Sequence, residues 1–202
     1  QDLLESRIRT FVRRRGKEGL NNACGLLLHW PSMEIRALAG SADFRNIRIQ
    51  GEVDGTRAPR SPGSTLKPFI YALALDQGLI HPRTLLYDTP QNFRGYEPDN
   101  ADQRFRGPIP AADALLVSRN IPAISLANRL ARPDLYEFLQ KAHLNLPKKR
   151  EEYGLSLVLG GAETSPRRLA ALYALLANQG VWKEPVLFRT GASARERSGA
   201  AD

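Results

Sequence analysis

Leu4, Ile8, Phe11 and Val12 recur at helical spacing while Arg7, Arg9, Arg13 and Arg14 take the other faces, so residues 2–18 are predicted to form an amphipathic helix stopped by Gly16 and Gly19. The pattern then changes. Runs from Cys24 to Trp30 and from Glu34 to Ala39 flank Pro31-Ser32-Met33, which predicts two strands joined in a hairpin, with Gly40-Ser41 closing the unit. Residues 46–63 are polar and turn-rich and feed an apolar stretch of helical period, Ser64 to Gln77. From 81 to 110 prolines are frequent and no period persists, so a long surface loop is expected, and loops of that length are usually functional or disordered.

Ala111 to Leu130 has a helical composition broken at Asn120-Ile121-Pro122. Proline disfavours the α conformation in the residue before it, so two helices meeting at a corner are expected. Pro133 to His143 reads as a short helix followed by a basic loop. Pro166 to Asn178 is the clearest helix: Ser165 can cap it, Pro166 takes its first position and Gly180 ends it. Past Val186 the composition is Arg, Ala, Gly and Ser without period, and residues 187–202 are expected to be a disordered tail. No internal repeat is present.

At 202 residues and 42% hydrophobic, the chain suits one domain with a core. No run approaches the roughly 18 consecutive apolar residues of a membrane helix, and the start lacks a signal-peptide layout. The chain opens at Gln1 rather than at methionine, which leaves room for an anchor or address segment upstream. A net charge of +8, with clusters at Arg13-Arg14-Arg15 and Lys148-Lys149-Arg150, suits anionic partners. Nucleic acid is not the expected one, because the basic residues do not alternate with aromatics and no finger or RNA-recognition signature occurs. A solvated basic face is the plainer reading. The single cysteine, Cys24, cannot make an internal disulfide and reads as inert core filler. His29, His81 and His143 lack ligand-like spacing, so neither a metal site nor a cofactor is expected.

Candidate chemistry begins with Ser64 and Lys67, three apart at a helix start, a spacing that puts a hydroxyl and an amine on one face. A serine hydroxyl must lose its proton to an adjacent base as it attacks, and a neutral lysine can take it. Burial beside a helix N-terminus disfavours the ammonium, and the same dipole end favours a developing oxyanion. Pro68 has no N–H to offer the Ser64 carbonyl, which places Ser64 in the opening turn. Spacing alone favours the plainer reading, a helix-start serine followed by a surface lysine. A second candidate is Ser118-Arg119-Asn120, just before the proline corner. There Ser118 can relay a proton between Lys67 and a leaving amine, and the Asn120 amide can hold a substrate peptide group. Ordinary helix-end polarity accounts for this tripeptide as well.

The two motifs lie within Arg60-Ser61-Pro62-Gly63-Ser64-Thr65-Leu66-Lys67-Pro68-Phe69 and Ala114-Leu115-Leu116-Val117-Ser118-Arg119-Asn120-Ile121-Pro122-Ala123. These long strings closely resemble the transpeptidase domains of class A penicillin-binding proteins. Leu73 to Pro82 (LALDQGLIHP), Tyr96 to Asn100 and Gly107-Pro108 resemble the 1C type in particular. Leu159-Gly160-Gly161-Ala162 and Ala170 to Gly180 (ALYALLANQG) match the family too, so the resemblance covers about residues 2–186.

The resemblance implies an α+β fold of the penicillin-binding-protein and serine β-lactamase type, with helices packed on a truncated antiparallel sheet and residues 1–186 forming a partial transpeptidase domain. It implies a peptidoglycan D,D-transpeptidase that works on stem peptides at the periplasmic face of the inner membrane, with a glycosyltransferase domain upstream. Ser64 would be the nucleophile acylated by substrate or by β-lactams, and Lys67 the favoured base. Ser118 would be the third catalytic group, with Gly63, Thr65 and Asn120 binding substrate. The family's Lys-Thr-Gly signature is absent; Arg189-Thr190-Gly191 looks like it but follows Trp182 too closely. The chain is therefore expected to stop short of the last strands, to be incomplete as an enzyme, and to expose a sheet edge that invites a homodimer or a missing segment. The rival reading is a non-catalytic module that binds peptidoglycan or a partner protein on the same scaffold.

Overall fold

The computed structural model describes residues 1–93 and 95–187. Helix α1 (Asp2–Arg15) runs into a 3-10 turn, Gly16–Glu18, and Gly19 at φ 87° turns the chain away. Strands β1 (Gly25–His29) and β2 (Glu34–Ala39) pair antiparallel, with an irregularity in register between Leu27 and Leu28. A 3-10 turn at Gly63–Leu66 opens helix α2 (Lys67–Asp76). Strands β3 (Leu85–Asp88) and β4 (Gly107–Pro110) make a second antiparallel pair, followed by helices α3 (Ala111–Leu116), α4 (Asn120–Arg129), α5 (Leu135–Lys141), α6 (Arg150–Tyr153) and α7 (Pro166–Ala177).

These elements fall into two compact units. One comprises Gln1–Arg60 together with the chain from Thr164 onward; the other is Ser61–Glu163. In the first, helices flank the β1–β2 hairpin. Ile8, the one buried residue of α1, packs against Ala39 and Ala42, with Leu4 and Val12 completing the contact. Ala171 and Ala174 of α7 close on Met33, whose φ of 56° makes the hairpin turn. Helix α7 starts as its sequence dictates, with the Ser165 hydroxyl accepting from Arg168 N and Pro166 in the first turn. The outer edge of β2 takes the returning chain: Ile35 N donates to Val186 O at 2.9 Å and Val186 N to Met33 O at 2.7 Å.

The second unit is built on α2 and α4, which pack on each other. Phe69, Ile70 and Ala74 of α2, with Leu66 of the turn before it, and Ile121, Ala123, Ile124 and Leu126 of α4 are fully enclosed. Phe69 stacks on Phe138 of α5 at 5.8 Å between ring centroids. Each enclosed large apolar side chain contributes about 1.5–3 kcal/mol of transfer free energy. Among the described residues, no helix is long and apolar enough to cross a membrane.

Three expectations are corrected. Residues 81–110 are not one loop: β3 and β4 bracket a connector, and cross-strand Leu86 and Ile109 are both buried. Four-residue strands are too short to show a period, and Pro108 and Pro110, which withhold ladder donors, disguise β4. The helix expected from Ser64 begins as a 3-10 turn and becomes α-helical only at Lys67. The basic stretch after His143 turns helical at Arg150 and continues as a 3-10 segment, Gly154–Leu159. Cys24 is half-buried just ahead of β1, and burial, with the Asp54 carboxylate near it, pushes its thiol pKa up. Arg189-Thr190-Gly191 and all but the first residue of the expected tail lie outside the described residues.

Candidate active site

Gly63, at φ 54° and half-buried, opens the 3-10 turn that carries Ser64 and Thr65, both exposed. In a 3-10 turn residues i and i+3 eclipse, so Ser64 and Lys67 stand one above the other, and Lys67 N donates to the Ser64 carbonyl. Pro68, in the first turn of α2, cannot offer the α-helical bond to that carbonyl, which is why the 3-10 turn takes it. Thr65 spends its hydroxyl on the Pro62 carbonyl at 2.7 Å.

Lys67 is only 1% exposed. Its Nζ donates to the Ser118 carbonyl at 2.7 Å, to Ser118 Oγ at 3.2 Å and to Asn120 Oδ1 at 2.6 Å. Those three acceptors use the three donors of the ammonium, and Ser64 Oγ is not one of them. Burial, reinforced by the positive charge of Arg119, lowers the lysine pKa from 10.5 to about 8. The Ser118 to Asn120 segment is the junction between α3 and α4, and Ser118 sits there in the left-handed region at φ 56°. The structure thus brings Lys67, Ser118 and Asn120 into direct contact across a separation of more than fifty residues, with Ser64 one 3-10 turn away.

Several groups around this site had no role in the sequence reading. Asn120 N donates to Asn100 Oδ1 at 2.8 Å, and Asn120 Nδ2 to the Asp99 carbonyl at 2.6 Å. The buried Arg119 guanidinium pairs with Asp88 and Asp102. Tyr71, one turn beyond Lys67 on α2, has its pKa raised by burial and by the Asp88 charge. Gly160, at φ 92°, lies so close to the serine turn that an added Cβ would stand 2.3 Å from Gly63 N, and its carbonyl accepts from Ser61 Oγ at 2.8 Å. Asp99, Asn100, Arg119 and Gly160 lay within strings quoted for a family likeness; Tyr71, Asp88 and Asp102 carried no advance signal.

Comparison with known proteins identifies the family. A family model, the penicillin-binding protein transpeptidase domain, matches residues 24–196. Penicillin-binding protein 1C of Escherichia coli K12 is 41% identical over 150 residues, covering 73% of this chain and 19% of the relative. Penicillin-binding protein 1A from Haemophilus influenzae is similar in structure, with TM-score 0.63 and 31% identity over 75% of this chain and 23% of that one. The transpeptidase domain of Burkholderia pseudomallei penicillin-binding protein 3, at 18% identity, shares the fold with TM-score 0.75, covering 96% of this chain and 61% of that one. The chain spans about a fifth of the length of the curated relatives it matches.

Proposed function

Because the chain belongs to the penicillin-binding protein transpeptidase domain family, we propose that it carries the acyl-transfer site of a peptidoglycan cross-linking enzyme, with Ser64 as nucleophile. The observation that supports this reading best is the buried Lys67 amine, pushed down to about 8 beside a hydroxyl-bearing turn. An amine there sheds its proton near neutrality and can accept one from Ser64 Oγ as that oxygen attacks a carbonyl. Loss of a proton leaves Nζ two hydrogens and a lone pair. That lone pair takes the Ser64 proton, and the ammonium so re-formed donates across the 3.2 Å contact to Ser118 Oγ, which passes its own proton on. Ser118 in this role carries a proton from Lys67 to the departing amine, while the new bond joins Ser64 Oγ to the acyl carbon.

The positive dipole end of the helical segment that carries Ser64 favours the developing oxyanion. Asn120 and Thr65 take the peptide groups of the substrate, and Gly63 lets its backbone approach. The donor on this reading is a stem peptide whose terminal residue leaves, and a β-lactam acylates the same oxygen. The domain works outside the cytoplasmic membrane, and the edge of β1 that pairs with no strand among the described residues is where a further strand or a second copy docks, which light scattering checks.

The test is a labelled penicillin followed by intact-mass spectrometry, on this chain and on the protein at the length of its relatives. One adduct per chain, lost in Ser64→Ala, is the expected result. No adduct on either form refutes the acyl-transfer reading and favours a non-catalytic peptidoglycan-binding module.

A further inference from the structure

Asp88 lies on the inward face of β3 and is fully enclosed. A carboxylate in such a place must be matched by donors or its burial is prohibitive. It accepts from Arg119 Nε at 2.7 Å, from Asn100 Nδ2 at 2.7 Å and from Arg106 N at 3.0 Å. The first two lead to the corner that holds the Lys67 amine. Arg119, 4% exposed, is the residue between Ser118 and Asn120, and its remaining nitrogens bind the Asp102 carboxylate, at 2.9 and 3.0 Å, and the Arg104 carbonyl. Asn100, 3% exposed, turns its amide oxygen to Asn120 N at 2.8 Å, and Asn120 Oδ1 takes Lys67 Nζ at 2.6 Å.

Ser118 needs this support. A non-glycine residue in the left-handed region persists only where its surroundings over-determine it, and it is in this conformation that the Ser118 carbonyl accepts from Nζ. The neighbouring Arg119, clamped at both ends of its guanidinium, supplies the constraint on one side. Asn120, held through its own N–H and its amide, supplies it just beyond.

We propose that Asp88 is a positioning residue for this site: by anchoring Arg119 and Asn100 it sets the Ser118 and Asn120 oxygens at the spacing that holds the Lys67 amine, and so governs proton transfer at Ser64 without touching substrate. The consequence for catalysis rests on the acyl-transfer reading above; the geometry does not. A carboxylate kept only for the stability of the fold would leave the amine and the covalent step unmoved once the protein has folded.

The test is Asp88→Asn, which keeps the shape and removes the charge. Acylation by a fluorescent penicillin is resolved into non-covalent Kd and the rate of the covalent step, and the Lys67 titration is read by NMR of 13C-labelled lysine. The covalent rate is expected to fall about 30-fold or more with Kd changed less than about threefold, as for a misplaced rather than a missing group. The Lys67 midpoint is expected to move away from about 8: water admitted by the loosened corner raises it, burial being the main cause of its depression, and the Arg119 charge that Asp88 no longer offsets pulls it down. If Asp88→Asn has no cooperative melt, Asn100→Ala breaks one link of the same chain and decides, with about a tenfold loss expected. A folded variant with either the covalent rate or the Lys67 midpoint at its wild-type value, or a loss carried wholly by Kd, overturns the proposal. If wild type takes no penicillin, the acyl-transfer reading fails and the Lys67 midpoint alone decides whether Asp88 positions the amine.

Discussion

Acylation of Ser64 by a β-lactam is expected to follow the titration of Lys67. The perturbation is pH itself. An ordinary lysine near 10.5 is neutral in about one molecule in three thousand at neutral pH, whereas a lysine near 8 is neutral in about one in eleven. The ratio, about 300-fold, corresponds to about 3 kcal/mol of barrier at 1.4 kcal/mol per tenfold, supplied first by burial and then by the Arg119 charge. Stopped-flow measurement of the acylation rate constant, from about pH 6 to about pH 9.5, should show a rise of about tenfold per unit that levels off near 8. Lys67→Arg, whose guanidinium does not deprotonate, should lose about 10²–10⁴-fold and the slope with it. A profile flat between about 6 and 8, or one still climbing at 9.5, refutes the assignment of Lys67 as base.

The same depressed pKa carries a stability signature of defined sign. Below about 8 the ammonium is charged in folded and unfolded chains alike and the folded state bears its desolvation; between about 8 and 10.5 only the unfolded chain holds the proton, so stability rises with pH by roughly 2 kcal/mol after discounting for solvent screening. Urea midpoints at the two ends of that window check it, and Lys67→Met should flatten the difference. Gly160→Ala drives a methyl into the backbone of Gly63 from a left-handed position and should cost about 2–4 kcal/mol together with a slower acylation, read by thermal unfolding and penicillin labelling on one sample. Phe69→Ala removes a fully enclosed ring stacked on Phe138 and should cost about 3–5 kcal/mol by denaturant titration.

The elements whose signals are local were legible in advance. Helix α1 shows its apolar stripe, the β1–β2 hairpin its two runs and turn, and α7 its cap, its proline and its glycine. A break between α3 and α4 was legible too, but it falls at Val117–Arg119 rather than at the residue before the ring: Ile121 is helical, and Pro122 sits in the first turn of α4, where a missing N–H is tolerated. Strands β3 and β4 were not legible, because their pairing spans a connector of eighteen residues, 89–106, and neither is long enough to reveal a face.

For the site, the sequence alone determined which chemical groups are present and which of them share a turn: Ser64 and Lys67, and separately Ser118 and Asn120. Only the tertiary structure decided that the two turns meet, that the Lys67 amine is enclosed and points at the corner rather than at Ser64, and that Asp88 and Asn100 stand behind that corner. The physical reason is that helical spacing is a property of neighbouring residues, whereas burial, and the charge state it imposes on an amine, is set by whatever distant chain folds over it.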